Sequence, residues 1–514
     1  MKRQKLYIVI ASIVLASVCT GCKKVDNEPV SSCSMTVDAV KTKTLSDSGS
    51  AISSTWTAGD VVTVWSADGT TTQYGTLTAG SSGSSTTLSG TLDSAPANGE
   101  TLLLKYLSAS YAGQDGTLTG TSGSIDKVSD YATAEVVATV AGSSVTATSA
   151  VFESQTTILK LTVKNASGTD ITSSITSLRV TDGTNVYRVT PSGLSTIYVA
   201  LPPVGSNQLI GFVATTASGN YRKSVTGKTL AAGKLTPVTL ETLPEGSLTG
   251  LFTINTAGGK VRFSQGNLQA VFESAGTSCT WRLADEQYGY IGNAAANNSI
   301  NGSGSVSAAG AVDLFGWNGA SSSVDNYGIN NSKIDSDYGT TSGEGLKHNW
   351  GHNSISGGGN VVDIWRVLTR SEWEFIISNR DASTVSEITN AHFTRARINN
   401  VRGLLLFPDE FSLPSSIVSL KNVNVSSNEA GYADNSFLDE KWALLEDAGV
   451  VFLPAAGYRE EVTISNVDAY GRYWTQTNGG SKSVSVYFTG SVVSAANGFN
   501  RHYGAAVRLV QDVN

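Results

Sequence analysis

Charge is what this chain lacks first. Asp, Glu, Lys and Arg make up 15% of its 514 residues, with 42 acidic against 35 basic side chains and a net charge of -7, where ordinary globular chains carry about 25%. No cluster of Lys and Arg is dense enough to track a phosphate backbone, which excludes nucleic acid as a partner. The acidic balance serves solubility. Cysteine is scarcer still: four residues in all, Cys19, Cys22, Cys33 and Cys279. Beyond the leader they offer no Cys-x-x-Cys and no paired Cys/His spacing, so no structural metal site is expected. No Ser stands in a Gly-x-Ser-x-Gly elbow, and no carboxylate pair stands out as an acid/base set. The expectation is a protein without catalytic residues, cofactor or metal. Long apolar runs are missing as well, with one exception at the N-terminus.

That exception states a compartment. Lys2, Arg3 and Lys5 precede Leu-Tyr-Ile-Val-Ile-Ala-Ser-Ile-Val-Leu-Ala-Ser-Val, an apolar run short for a membrane span and right for an export signal. It ends in Cys19-Thr20-Gly21-Cys22, which resembles a bacterial lipoprotein cleavage and lipidation site, although Cys19 replaces the usual aliphatic residue. Residues 1–22 are thus expected to be a signal peptide with Cys22 lipidated, the alternative being a plain secretory signal. Acyl chains at about 0.8 kcal/mol per buried methylene would hold the protein firmly. The implied location is the outer membrane or cell surface, lipid-anchored and facing outward. Cys33 and Cys279 then remain, and a pairing between them is left open.

What is present in excess is Gly, with 53 residues, together with Ser and Thr. This composition points to short strands and many turns, and 514 residues exceed one core, so several domains are expected. Residues 23–45 are polar without sustained periodicity and read as a flexible stalk. From Trp56-Thr57-Ala58-Gly59-Asp60 onward, short apolar strands alternate with turn clusters. In Thr157–Val163, Leu159, Leu161 and Val163 should face inward and Lys160 and Thr162 outward, opening a second sandwich. The order WTAGD, TTILKLTV, YVALPP and AAGKLTPVTLE resembles the fimbrillin family of the Bacteroidetes. That resemblance implies two tandem transthyretin-like β-sandwiches, at 46–150 and 151–243, and pilus subunits as partners. The family's basic processing site has no clear match; Lys41 and Lys43 are the nearest basic residues.

After a linker at Leu243-Pro244-Glu245-Gly246-Ser247 the texture changes. Thr369-Arg370-Ser371-Glu372 is a capping box before Trp373, Ile376 and Ile377. A second helix should place Leu438, Trp442 and Leu445 on one face and end at Gly449. Residues 250–514 therefore read as α+β. The order WRVLTRSEWEFI, GLLLFPDEF, VFLPAAGYRE, GRYW and AAVRLV resembles the C-type-lectin-like fold in the variant shared with formylglycine-generating enzymes, which implies paired terminal strands and a ligand-binding final hairpin. The active-site cysteine pair of those enzymes is absent, since no cysteine follows Cys279. The calcium ligands of sugar-binding lectins are absent too: Pro408-Asp409 follows Phe407, and Trp474 is followed by Thr475-Gln476. His348 and His352 lie in a Gly- and Asn-rich loop and read as surface polar residues, Asp409-Glu410 and Glu460-Glu461 as solvated turn charges, and the tryptophans mostly as core.

The last forty residues also resemble the targets of diversity-generating retroelements. That likeness implies a framework of Trp474, Phe488, Gly490, Arg501, Gly504, Val507, Arg508 and Leu509. It implies displayed contacts at Thr475, Gln476, Asn478, Tyr487, Thr489, Asn497, Phe499, Asn500, His502 and Tyr503. Polar and rigid aromatic residues of this kind are those of antibody-like recognition loops. The expectation is a lipoprotein adhesin, at a pilus tip or on the surface, binding a protein or glycan of unknown identity. The alternative is a structural or accessory fimbrial subunit whose last domain serves assembly.

Overall fold

In the computed structural model the described residues are 32–41, 55–106, 113–118, 131–292, 306–318, 328–329, 334–343, 346–427, 429 and 431–513. Cys22 and the leader lie outside them, as does Lys43. The chain is multidomain and mostly β-sheet.

The expected stalk, 23–45, is corrected first over its described residues, 32–41. Cys33–Lys41 is a nine-residue strand with Cys33, Met35, Val37, Ala39 and Lys41 turned inward. It pairs antiparallel with Ser85–Leu92 and parallel with Ser144–Ala147 and Ala150–Ser154. By joining these strands it closes the eight-stranded sheet into a ring, which removes two open edges. Lys41 ends inside that ring, 3% exposed, its ammonium 3.2 Å from the Tyr106 ring centroid, 4.3 Å from that of Trp56 and 3.6 Å from Asp60. Cation–π contact and an ion pair make a buried lysine tolerable. The first unit runs to Ser154, past the expected boundary, because Ala150–Ser154 pairs with the first strand.

The second unit is a two-sheet sandwich. Thr157–Lys164, Ile197–Leu201 and Leu235–Glu241 form one sheet, and Ser177–Thr181, Val186–Val189, Ile210–Thr215 and Asn220–Val225 the other. Leu159, Leu161 and Val163 are buried between them while Lys160 and Thr162 are partly exposed, as the alternation requires. A segment from the first unit is tied to this one: Gln114 Nε2 donates to Ala200 O at 3.0 Å, and Ala200 N to Gln114 Oε1 at 2.9 Å.

The expected linker is part of the packing. Ser247 and Leu248 are fully buried, and Gly246 N donates to Asn220 O at 2.9 Å. In the last domain Lys260–Phe263 pairs antiparallel with Val510–Val513, so its two ends meet. Thr369 and Glu372 form the capping box, and the helix Arg370–Glu374 continues as one wide turn, Phe375–Asn379. The helix Asp439–Asp447 buries Trp442 and Leu445, but Leu438 sits at its N-cap, 66% exposed, and not on that face. Gly449, at φ 89°, donates to Glu446 O while Val450 N donates to Leu445 O, a Schellman ending. A helical turn at Gly431–Asp434 carried no sequence signal we read. Trp281, Trp317, Trp365, Trp373, Trp442 and Trp474 are all buried. No helix among the described residues is long and apolar enough to cross a membrane.

Candidate binding face

The final sheet is Gly471–Asn478, Ser483–Phe488 and Val493–Phe499. Strand alternation sends Tyr473 into the core and Arg472 outward. The register sets Arg472 opposite Tyr487 and Ser485 opposite Asn497. The Arg472 guanidinium carbon lies 4.1 Å from the ring centroids of both Tyr487 and Phe499 and 5.9 Å from that of Tyr458. Its Nη1 donates to Asn497 Oδ1 at 2.9 Å and to Ser485 Oγ at 3.4 Å. Burial works against the charge on this group.

Around it the rings converge from separate parts of the chain. Tyr470 meets Tyr487 edge-on at 5.6 Å. Tyr458 lies nearly parallel to Tyr470 at 6.5 Å and to Tyr503 at 6.3 Å. Phe499 is the floor, edge-on to Tyr458 at 5.7 Å and to Tyr503 at 5.3 Å. The Tyr503 hydroxyl donates to Glu460, and this bond, then burial, pushes the phenol up to about 12. Beside it His502 Nδ1 lies 2.8 Å from Asp335 Oδ1.

Of the ten residues expected as displayed contacts, six are half-buried at the surface: Asn478, Tyr487, Asn497, Asn500, His502 and Tyr503. Thr475, Gln476, Thr489 and Phe499 are buried, which corrects the expectation for those four. Thr475 donates to Val484 O at 2.9 Å and its carbonyl accepts from Trp317 Nε1 at 2.8 Å. The Gln476 backbone N–H donates to Leu368 O, and the Thr489 carbonyl accepts from Arg395 Nε at 2.7 Å. Asn478 is turned toward the framework, accepting from Arg501 Nη2 at 2.7 Å. Sequence reasoning missed Tyr458, Tyr470 and Arg472. For Arg472 a signal existed, since it alternates with the inward Tyr473.

Two polar readings elsewhere change. His348 is fully buried, stacked on Trp317 at 4.6 Å, with Nδ1 against Asn318 O at 3.0 Å. It is 0% exposed and far from the surface role expected, while His352 is exposed and pairs with Asp363. Asp409 is not a solvated turn charge: it accepts from Arg380 Nη1 and from Thr253 Oγ1, at 2.8 and 2.7 Å. Among the described residues no group of three or more His, Cys, Asp and Glu could hold a metal ion, and Cys33 and Cys279 are free thiols.

Burial pushes His348 down to about 4. The unfolded chain, at about 6.5, binds the proton first. Stability is therefore complete above about 6.5 and falls as pH drops toward about 4, by up to about 3 kcal/mol from this residue. Urea midpoints of wild type and His348→Gln at neutral and acid pH should diverge in that window. Parallel pH profiles would refute the assignment.

No family model and no curated protein matches this chain. Solved structures similar to it include a fimbrial protein from Bacteroides ovatus ATCC 8483, at 10% identity over 93% of this chain and 98% of that one, TM-score 0.23. Another is a candidate cell adhesion protein from Bacteroides uniformis ATCC 8492, at 11% identity over 51% and 99%, TM-score 0.26. A streptococcal ancillary pilin shares 11% identity over 49% and 80%, TM-score 0.16. Scores this low assign neither a family nor a site.

Proposed function

We propose that this protein is a cell-surface adhesin, anchored by lipid at Cys22, whose C-terminal domain binds its ligand through the face around Arg472. The observation carrying this is the convergence of Tyr458, Tyr470, Tyr487 and Tyr503, all half-exposed, around one guanidinium over a Phe499 floor. Half-exposed Tyr and Arg on a packed platform are the residues that dominate binding energy at recognition surfaces. The platform is stiff because Trp474, Phe488, Arg501, Val507, Arg508 and Leu509 beneath it are buried. The two β units serve as the spacer from the membrane.

Replacing Tyr458, Tyr487 and Tyr503 together by Ser should abolish attachment of cells displaying the protein while leaving its unfolding transition in place. Attachment that survives the triple substitution would remove this face from the function. A strain lacking the protein separates the assembly alternative, since an accessory subunit alters pilus length and an adhesin alters attachment alone. Retroelement diversification of the six half-exposed contacts is part of the same proposal. It requires a near-identical template repeat of the 3′ end and a reverse transcriptase beside the gene.

A further inference from the structure

Several arginines packed into the last domain are compensated in one of two ways. Arg366 and Arg380 have carboxylates, at 2.8 Å from Glu372 and from Asp409 respectively. Arg395 and Arg508 instead donate to several backbone carbonyls each. Arg472 has neither. Its hydrogen bonds go to the neutral side chains of Asn497, Ser485 and Tyr487, its buried Nε has no partner among the described residues, and no described carboxylate pairs with it. A guanidinium held between two aromatic faces and stripped of much of its water, with no counter-charge, is costly in the free protein. It repays that cost when an anion docks against its fork.

Resting on the adhesin reading of the same face, we propose that the ligand is an acidic glycan whose carboxylate or sulfate is received by Arg472. Tyr470, Tyr458 and Tyr503 supply rings in nearly one orientation, with interplanar angles of 21° and 16° at spacings of 6.5 and 6.3 Å. Such a row matches the apolar C–H faces of successive pyranose rings, while the amides of Asn497 and Asn500 at its border bond to hydroxyl groups. Charge favours a sugar over an acidic peptide. Glu460 and Asp335 stand at the Tyr503 end of the face, where they would repel a segment carrying several carboxylates and tolerate hydroxyl groups beside a single anion.

The test is to titrate the chain lacking its first 22 residues with one oligosaccharide backbone in neutral, uronate-bearing, carboxyl-reduced and sulfated forms, and with a polyaspartate peptide. A charged form should bind about tenfold tighter than the neutral one, and the better of uronate and sulfate names the source of the anion. Arg472→Gln should bring the charged form to within about twofold of the neutral, with Arg472→Lys in between. Raising salt from about 50 to about 500 mM should weaken the charged form alone, a readout that needs no variant. Equal binding of charged and neutral forms overturns the role of Arg472. Preference for polyaspartate overturns the glycan assignment, and so does failure of every saccharide to bind. In each of those cases loss of attachment in the tyrosine triple variant leaves the adhesin reading standing, whereas its persistence removes both.

Discussion

Arg179→Ala should release the second sandwich from the last domain, at a cost of about 3–5 kcal/mol to their joint stability. The helix Asp439–Asp447 ends in two acids, Glu446 and Asp447, each about 2% exposed. Negative charge at a helix C-terminus opposes the helix dipole, and burial raises the cost further. What offsets it comes across the domain boundary. Arg179 Nη2 lies 2.8 Å from Glu446 Oε2 and 2.7 Å from Asp447 Oδ1, and Thr181 Oγ1 donates to Asp447 Oδ2 at 2.8 Å. Ser224 Oγ holds the Asp447 carbonyl at 2.6 Å, and Arg222 reaches toward Glu446 at 3.9 Å while donating to Gln265. Removing the Arg179 guanidinium leaves two desolvated carboxylates with the more distant Arg222 as their remaining described cation and Thr181 and Gln287 as neutral donors. The wild type should unfold these two domains in one transition, and Arg179→Ala in two. Adding Glu446→Gln and Asp447→Asn to Arg179→Ala should restore most of the loss, because neutral isosteres need no counter-charge. An unchanged midpoint in Arg179→Ala would mean that the carboxylates are hydrated and the interface open.

This docking was invisible in the sequence, since Arg179 and Glu446 stand 267 residues apart and neither sits in a pattern. Local signals fared better. The alternation of Thr157–Lys164, the Thr369 capping box and the Gly449 ending are short-range effects of backbone geometry and were legible for that reason. Cys33–Lys41 alternates in burial just as cleanly, but it stands in a polar stretch without sustained periodicity and its inward set ends in a lysine, so its sequence reads as a stalk. Only long-range cation–π and ionic partners reveal why Lys41 belongs inside. The binding face was half legible. Polar type suggested display for Thr475, Gln476 and Thr489, yet hydrogen bonds to distant backbone make Thr475 and Thr489 part of the framework. Tyr458 joins from outside the final sheet, brought in by the pairing of Arg459 with Gly504, and Tyr470 stands just before the first strand of that sheet, its carbonyl accepting from Gly457 N at 2.8 Å.

Arg508→Met should be the most damaging single change within the last domain. Arg508 is 1% exposed and pushed down to about 10 by burial. Its Nε donates to Asn267 Oδ1 at 3.0 Å, Nη1 to Ser264 O at 3.0 Å, and Nη2 to Gln287 O at 3.2 Å and Phe452 O at 2.8 Å. One side chain thus ties the lead-in, a loop and a central strand to the C-terminal strand region. Methionine fills the volume but orphans four acceptors, each costing about 1–3 kcal/mol when left buried. Even with partial relaxation the sum exceeds about 4 kcal/mol, a large share of the stability of a typical domain. A fall in melting temperature of about 10 °C or more is expected, and Arg508→Lys should recover only part of it, since an ammonium cannot span the four acceptors. The effect should reach the binding face as well. Asn267 Nδ2 donates to the Tyr473 hydroxyl at 3.3 Å, and that hydroxyl to Pro454 O at 2.7 Å, so Arg508 helps fix the inward neighbour of Arg472. At a temperature where the variant is still folded, ligand affinity should fall more than it does for a core change remote from Tyr473, such as Leu445→Ala. Melting within about 2 °C of wild type would show that the four acceptors find water, and that the guanidinium is not what holds these segments together.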